Sequence, residues 1–170
     1  MKREHLYYAV IAGGLLLVTF VAVVNYWPTR AAPLDPPAIV AQRLNTSSAP
    51  EEKIRAAQDF IRHGEMARVE IRAALEQHAS YEPEVVAPLL QATGKTRDYR
   101  SMPTLLDLLE HPDPAVRGAA GAAVQKILGA DFGFRANAPE DERAKLIKEM
   151  RHDFEVAGPR LQEFYNHQSP

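Results

Sequence analysis

The stretch 99–129, YRSMPTLLDLLEHPDPAVRGAAGAAVQKILG, leaves this chain little choice of fold. It reads as two amphipathic helices joined by a tight turn. Met102, Leu105, Leu106 and Leu109 fall at i, i+3, i+4 and i+7, the spacing of one apolar helical face. His111, Pro112, Asp113 and Pro114 stop that helix and start the next. Asp113 is placed as N-cap, and Pro114 fits the first helical position, where its missing N–H is no loss. Val116, Ala120, Ala123, Val124, Ile127 and Leu128 line one side of the second helix, and Gly129 stands where a C′ glycine closes it. A hairpin of this size cannot bury its own apolar faces and requires neighbours of the same kind. The chain is therefore expected to be all-α.

Such neighbours are readable upstream. Residues 51–63 place Ile54, Ala57, Phe60 and Ile61 on one face, between Pro50 and Gly64. Residues 65–79 repeat the pattern with Met66, Val69, Ala73 and Leu75, and residues 84–93 follow, begun by Pro83 and ended by Gly94. Pro83, Glu84 and Val85 align with Pro114, Ala115 and Val116 at an offset of 31. A period in the low thirties with two helices per unit is the mark of a stacked array. Downstream, residues 130–134 form a turn whose Phe132 and Phe134 are expected to cover the open end of the last hairpin. Pro139 and the acids Glu140, Asp141 and Glu142 then open a helix whose apolar face is Leu146, Ile147, Met150 and Phe154, expected to cap the stack and to end at Gly158 and Pro159. A short last helix over residues 160–167 would carry Leu161, Phe164 and Tyr165.

The run Asp98-Tyr99-Arg100-Ser101-Met102-Pro103-Thr104-Leu105-Leu106-Asp107-Leu108-Leu109, followed by Pro112-Asp113-Pro114-Ala115-Val116-Arg117, resembles a HEAT repeat in its short bacterial form, related to PBS-lyase HEAT-like repeats. The resemblance is close over residues 97–129 and weaker over 51–94, which lack the Asp-Pro-x-Val-Arg element. It implies a short α-solenoid. In that family the positions of Asp113 and Arg117 line a ladder along the stack; here the preceding unit has Glu82 and Val86 at those places, so one rung is evident. HEAT arrays mostly bind proteins. By solenoid logic the curved surface of successive second helices, including Arg117 and Gln125, is the expected binding face.

Residues 6–27, LYYAVIAGGLLLVTFVAVVNYW, contain no charge, and 22 residues make a helix of roughly 33 Å, the thickness of a hydrocarbon core. Tyr7, Tyr8, Tyr26 and Trp27 stand at its two ends, as interfacial aromatics do. The run exceeds the h-region of a cleaved signal, and no small-x-small site follows it. Residues 1–27 are therefore read as a single transmembrane anchor. Lys2 and Arg3 outweigh Arg30 across it, which favours a cytoplasmic N-terminus and an extracytoplasmic soluble part. Residues 28–50, with Pro28, Pro33, Pro36, Pro37 and Pro50, read as an extended linker, interrupted at most by a short helix over 38–44 begun by Pro37. The array with its cap is placed at 51–157 and a tail or short helix at 158–170.

Composition limits the chemistry. The net charge is −2, and removing residues 1–30, which hold Lys2, Arg3, Arg30 and Glu4, reduces 20 bases and 22 acids to 17 and 21. A weakly acidic soluble part argues against nucleic acid as partner. With no cysteine there is no disulfide and no thiolate chemistry. Gly94-Lys95-Thr96 lacks the upstream glycine of a phosphate loop, Leu89 standing in its place, and reads as a helix end followed by a base. The six histidines have no metal-ligand spacing, and the His-Glu pairs of HEAT-type hydroxylases are represented only by the reversed Glu110-His111. No catalytic, cofactor or metal residue is singled out. The expected function is a membrane-anchored scaffold or adaptor that binds a protein partner, with Asp113, Arg117 and Gln125 as contact or ladder residues. The alternatives are a structural subunit of a membrane or envelope complex, and a HEAT-type enzyme or enzyme subunit, for which no residue speaks.

Overall fold

Proline opens helix after helix in this chain. In the computed structural model, which describes residues 33–168, α1 (Pro37–Thr46), α2 (Pro50–His63), α4 (Pro83–Thr96) and α6 (Pro114–Leu128) each begin on one. Its fixed φ is already helical, and the N–H it lacks is one the first turn cannot use. The shorter α3 (Arg68–Glu76) and α5 (Met102–Leu108) are each led in by a 3₁₀ turn, Gly64–Ala67 and Tyr99–Ser101. The last helix, α7 (Glu140–Gln168), runs for 29 residues. The described residues contain no strand and are all-helical.

Within this body, Leu34–Pro170, α2 packs on α4 and α4 on α6, while α1, α3 and α5 each pair with the helix that follows. Contacts between α1 and α3, and between α5 and α7, join the second row. Because α2, α4 and α6 run one way and α1, α3 and α5 run back, the turns gather at two ends. At the end where the chain enters, His63 Nε2 donates to the Asp35 carbonyl (2.8 Å), Lys95 Nζ to the Ile61 carbonyl (2.8 Å) and Arg72 Nε to the Asp98 carboxylate (2.7 Å). At the opposite end Tyr81 Oη donates to Asn45 Oδ1, and the Lys53 ammonium lies 5.9 Å from the Tyr81 ring centroid.

The helix α4 is apolar on two sides and serves two clusters. Val85, Leu89 and Ala92 bury with Val40, Leu44, Ala56, Ala57, Phe60 and Ile71. Val86 and Leu90 bury with Met102, Leu105, Leu109, Val116, Val124 and Met150. Every apolar position expected of the 99–129 hairpin is buried except Leu128, which is half-buried against the same cluster. Asp113 caps α6 and Gly129 closes it at φ 70°.

Four sequence expectations shift. The segment read as linker, 28–50, supplies α1, whose Val40 and Leu44 are fully buried. The helix expected over 38–44 extends to Thr46; Pro36 precedes it, Pro37 is its first residue and Pro50 opens α2, so the prolines bound it. Of the stripe assigned to 65–79 only Leu75 is buried: Met66 and Val69 are 77% and 70% exposed, Ala73 is exposed, and Ala67, Ile71 and Ala74 are buried instead. The tighter 3₁₀ turn at Gly64–Ala67 changes the rotation with which α3 begins. Gly94, read as a helix end, lies inside α4, which closes two residues beyond Lys95 at Arg97 with left-handed φ 49°. Glycine is needed there for approach: a Cβ on Gly94 would stand 2.9 Å from Ala123 Cα on α6. Finally, α7 continues through Gly158 and Pro159 to Gln168, because a proline deletes one helical hydrogen bond without forbidding the turns beyond it. Among the described residues no helix is long and apolar enough to cross a membrane, and the run expected to do so, 6–27, lies outside them.

Gly94→Ala should push α4 and α6 apart and lower stability by about 1–3 kcal/mol, as overpacking does. Thermal unfolding followed by circular dichroism measures this; an unchanged midpoint would show that the two helices tolerate separation.

Candidate partner-binding surface

The turn before α6 is built by two of the three residues singled out in the sequence. Asp113 Oδ1 accepts from the backbone N–H of Ala115 (2.7 Å) and Val116 (3.4 Å), satisfying two first-turn donors of α6. The Asp113 backbone N–H donates to His111 Nδ1 (3.0 Å), which places the neutral ring's proton on Nε2. Arg117, one turn into α6, donates from Nη1 to the carbonyls of His111 (2.8 Å) and Pro112 (2.7 Å), and from Nε and Nη2 to the carbonyl of Ala136 (3.0 and 2.8 Å). Its planar fork thus ties the turn before α6 to the segment after it. These hydrogen bonds of Asp113 and Arg117 stay within the chain.

Gln125 is separate from that pair. It lies exposed two turns further along α6, beside a groove formed with Gly118, Gly121, Phe132, Phe134 and Met150. A Cβ on Gly121 would fall 2.6 Å from Phe134 Cδ1, so the ring sits directly on the helix backbone. Phe132 and Phe134 pack against the core as the aromatic turn was expected to do. Ile147 and Met150 of α7 are buried beyond them, and Arg151 reaches Asp107 (3.0 Å) and Glu110 (3.2 Å). The side of α6 away from α4 is therefore covered by the chain itself.

What remains open is the outer face of α2, α4 and α6. Pro50, Pro83 and Pro114 occupy the same first position in the three helices, at offsets of 33 and 31. Eight residues on stand Gln58, Gln91 and Ala122; twelve on stand Arg62, Lys95 and Lys126, and all six are exposed. Equivalent positions on three parallel helices make two rows, one of glutamine, glutamine and alanine and one of three bases. A single offset of 31 conceals them, since the α2 unit is longer by two residues; the proline at position 50 was the available signal. Among the described residues no group of three histidines, aspartates or glutamates is arranged to hold a metal ion. His63 is used on the Asp35 carbonyl and His78 Nδ1 on the Leu75 carbonyl (2.9 Å).

Compared with models of protein families, with curated proteins and with solved structures, the chain matches none.

Asp113→Ala should lower stability by about 1 kcal/mol, the usual loss for an N-cap, while Asp113→Asn keeps most of it. Arg117→Met, which strips donors from three carbonyls, should lower it by about 2 kcal/mol. Urea unfolding midpoints of the full chain in detergent provide the comparison. Equal midpoints for Asp113→Ala and Asp113→Asn would deny the cap its role.

Proposed function

We propose that the chain is a membrane-anchored helical-repeat adaptor, with no catalytic chemistry of its own. In this reading the stacked hairpins form a short α-solenoid of HEAT-like units, and a protein partner binds along the outer face of α2, α4 and α6. The observation that supports it best is the two rows of equivalent exposed positions, Gln58, Gln91 and Ala122 with Arg62, Lys95 and Lys126, on helices that pack side by side. Stacked repeats use such a surface because it is rigid and extended. Gln125 belongs to the last helix of that face, whereas Asp113 and Arg117 act as the internal fastening of the final unit.

The anchor is residues 6–27, with the N-terminus in the cytoplasm and the helical body outside it. Segment 130–139 and α7 close the far side of the stack, as the end of a repeat array requires.

A photo-crosslinking residue placed at Gln91 of the full chain, in native membranes, should yield one dominant protein adduct identifiable by mass spectrometry. No adduct at Gln91 or Gln58 would remove the adaptor reading and leave a structural subunit. The anchor has its own check: alkaline extraction should leave the chain in the membrane pellet, and its release to the supernatant would dispose of the transmembrane segment.

A further inference from the structure

The two ends of the helical body differ in chemistry, and we propose that the end at which the chain enters it rests on an anionic lipid surface. This rests on the anchor reading above. The four large apolar side chains exposed among the described residues are Ile39, Met66, Val69 and Val156. All lie at that end. Ile39 is in the first turn of α1, close after Asp35, whose carbonyl holds His63. Met66 and Val69 flank the start of α3, and Val156 shares a groove with Leu128 and Ala130 at the close of α6. Single exposed apolar residues are ordinary on any protein; here all four stand at one end.

Charge divides the same way. Arg62, Arg68, Lys95, Arg97, Arg100 and Lys126 stand at the entry end. Several acids there are engaged: Asp98 is buried against Arg72, Glu65 lies 3.5 Å from Arg68, and Asp35 lies 3.0 Å from Arg43; Glu70 and Asp131 stand beside them, with Asp153 and Glu155 on α7 next to Val156. The opposite end carries Glu51, Glu52, Glu82, Glu84, Glu110 and Glu140, which outnumber its bases Lys53, Arg117, Arg135 and Arg143. On α2 and α4 acids in the first turn and bases in the last suit the helix dipole, as do the N-cap Asp113 and Lys126 of α6. On α3, which runs the other way, Arg68 and Glu70 share the first turn and Glu76 closes the helix; around α5, Arg100 stands in the turn before it and Asp107 and Glu110 at and beyond its close. The entry end therefore holds the larger share of the bases and the opposite end the larger share of the acids.

Chain length brings this end to the bilayer. The body begins at Leu34 and the apolar run ends at Trp27, leaving six residues, 28–33, that span at most about 20 Å fully extended. Cations with apolar side chains among them suit anionic headgroups over a hydrocarbon boundary, and the acidic end is turned away by repulsion.

The chain has no cysteine, so a single one can be introduced for labelling. The full chain carrying Val69→Cys, or Glu82→Cys as control, is spin-labelled and mixed with vesicles of phosphatidylcholine alone or with added phosphatidylglycerol. Flotation reports attachment, and collision with a water-soluble nickel complex reports exposure of the label. Flotation with both vesicles and a severalfold fall in nickel contact at position 69, only with phosphatidylglycerol and not at 82, supports the proposal. High salt, or Arg68→Gln with Arg97→Asn, should then restore contact; asparagine suits the left-handed conformation at 97, so the fold is spared. Flotation with both but unchanged exposure at 69 overturns the lipid face and leaves the anchor. Flotation only with phosphatidylglycerol, with 69 shielded, supports the face and overturns the anchor. Flotation with neither overturns both.

Discussion

The approach of Gly94 to Ala123 sets the distance between α4 and α6, and the rest of the body is arranged around that distance. No side chain larger than hydrogen fits at position 94, so the two backbones meet and the side chains on either side interlock. Because α4 is in direct contact with α2, α3 and α6, its position passes to most other elements. Its apolar residues divide between two clusters, so only the strip carrying Glu84, Gln91 and Lys95 is left to face water. Thr93 and Thr96 are also buried on it, each hydroxyl turned back to a carbonyl of its own helix, Leu89 and Thr93 respectively (2.9 Å in both). A buried polar group satisfied locally asks nothing of its neighbours, which suits a helix packed from several sides.

Much of the fold was legible because the hairpin at 99–129 obeys local rules without exception. Its apolar spacing, cap, first-turn proline and closing glycine agree, and agreement across levels is what makes a segment readable. The misreadings have a common cause. Met66 and Val69 form as good a helical stripe with Ala73 as the buried residues do, and only the 3₁₀ turn before α3 decides which stripe faces inward. Gly94 carries the local sign of a helix end, but its reason is a residue 29 positions away. Within 28–50 the short helix expected over 38–44 from Pro37 is present as α1; what the prolines did not reveal is that it belongs to the core, with Val40 and Leu44 buried.

The surface was less legible than the core. Asp113 and Arg117 could be picked out from the repeat pattern, yet their hydrogen-bonding partners, above all the carbonyl of Ala136, depend on how the segment after α6 folds back. The rows along α2, α4 and α6 needed the unequal lengths of two units to be known. The division of charge between the two ends is invisible in a linear reading, because acids and bases alternate along the chain as it passes from one end to the other. Chain direction converts that alternation into separation.

Sharing α4 between two clusters also bears on how the body opens. Val40, Leu44 and Phe60 on one side, and Leu105, Val116 and Val124 on the other, are separate pools of buried surface joined through α4 and Tyr81. The first pool draws on α1 and α2 and the second on α5, α6 and α7, so each can lose its order while the other keeps a core. Such an arrangement favours stepwise opening in two cooperative units over a single all-or-none transition. Amide protons of α4 would then be the slowest to exchange, since both units must open before that helix is released.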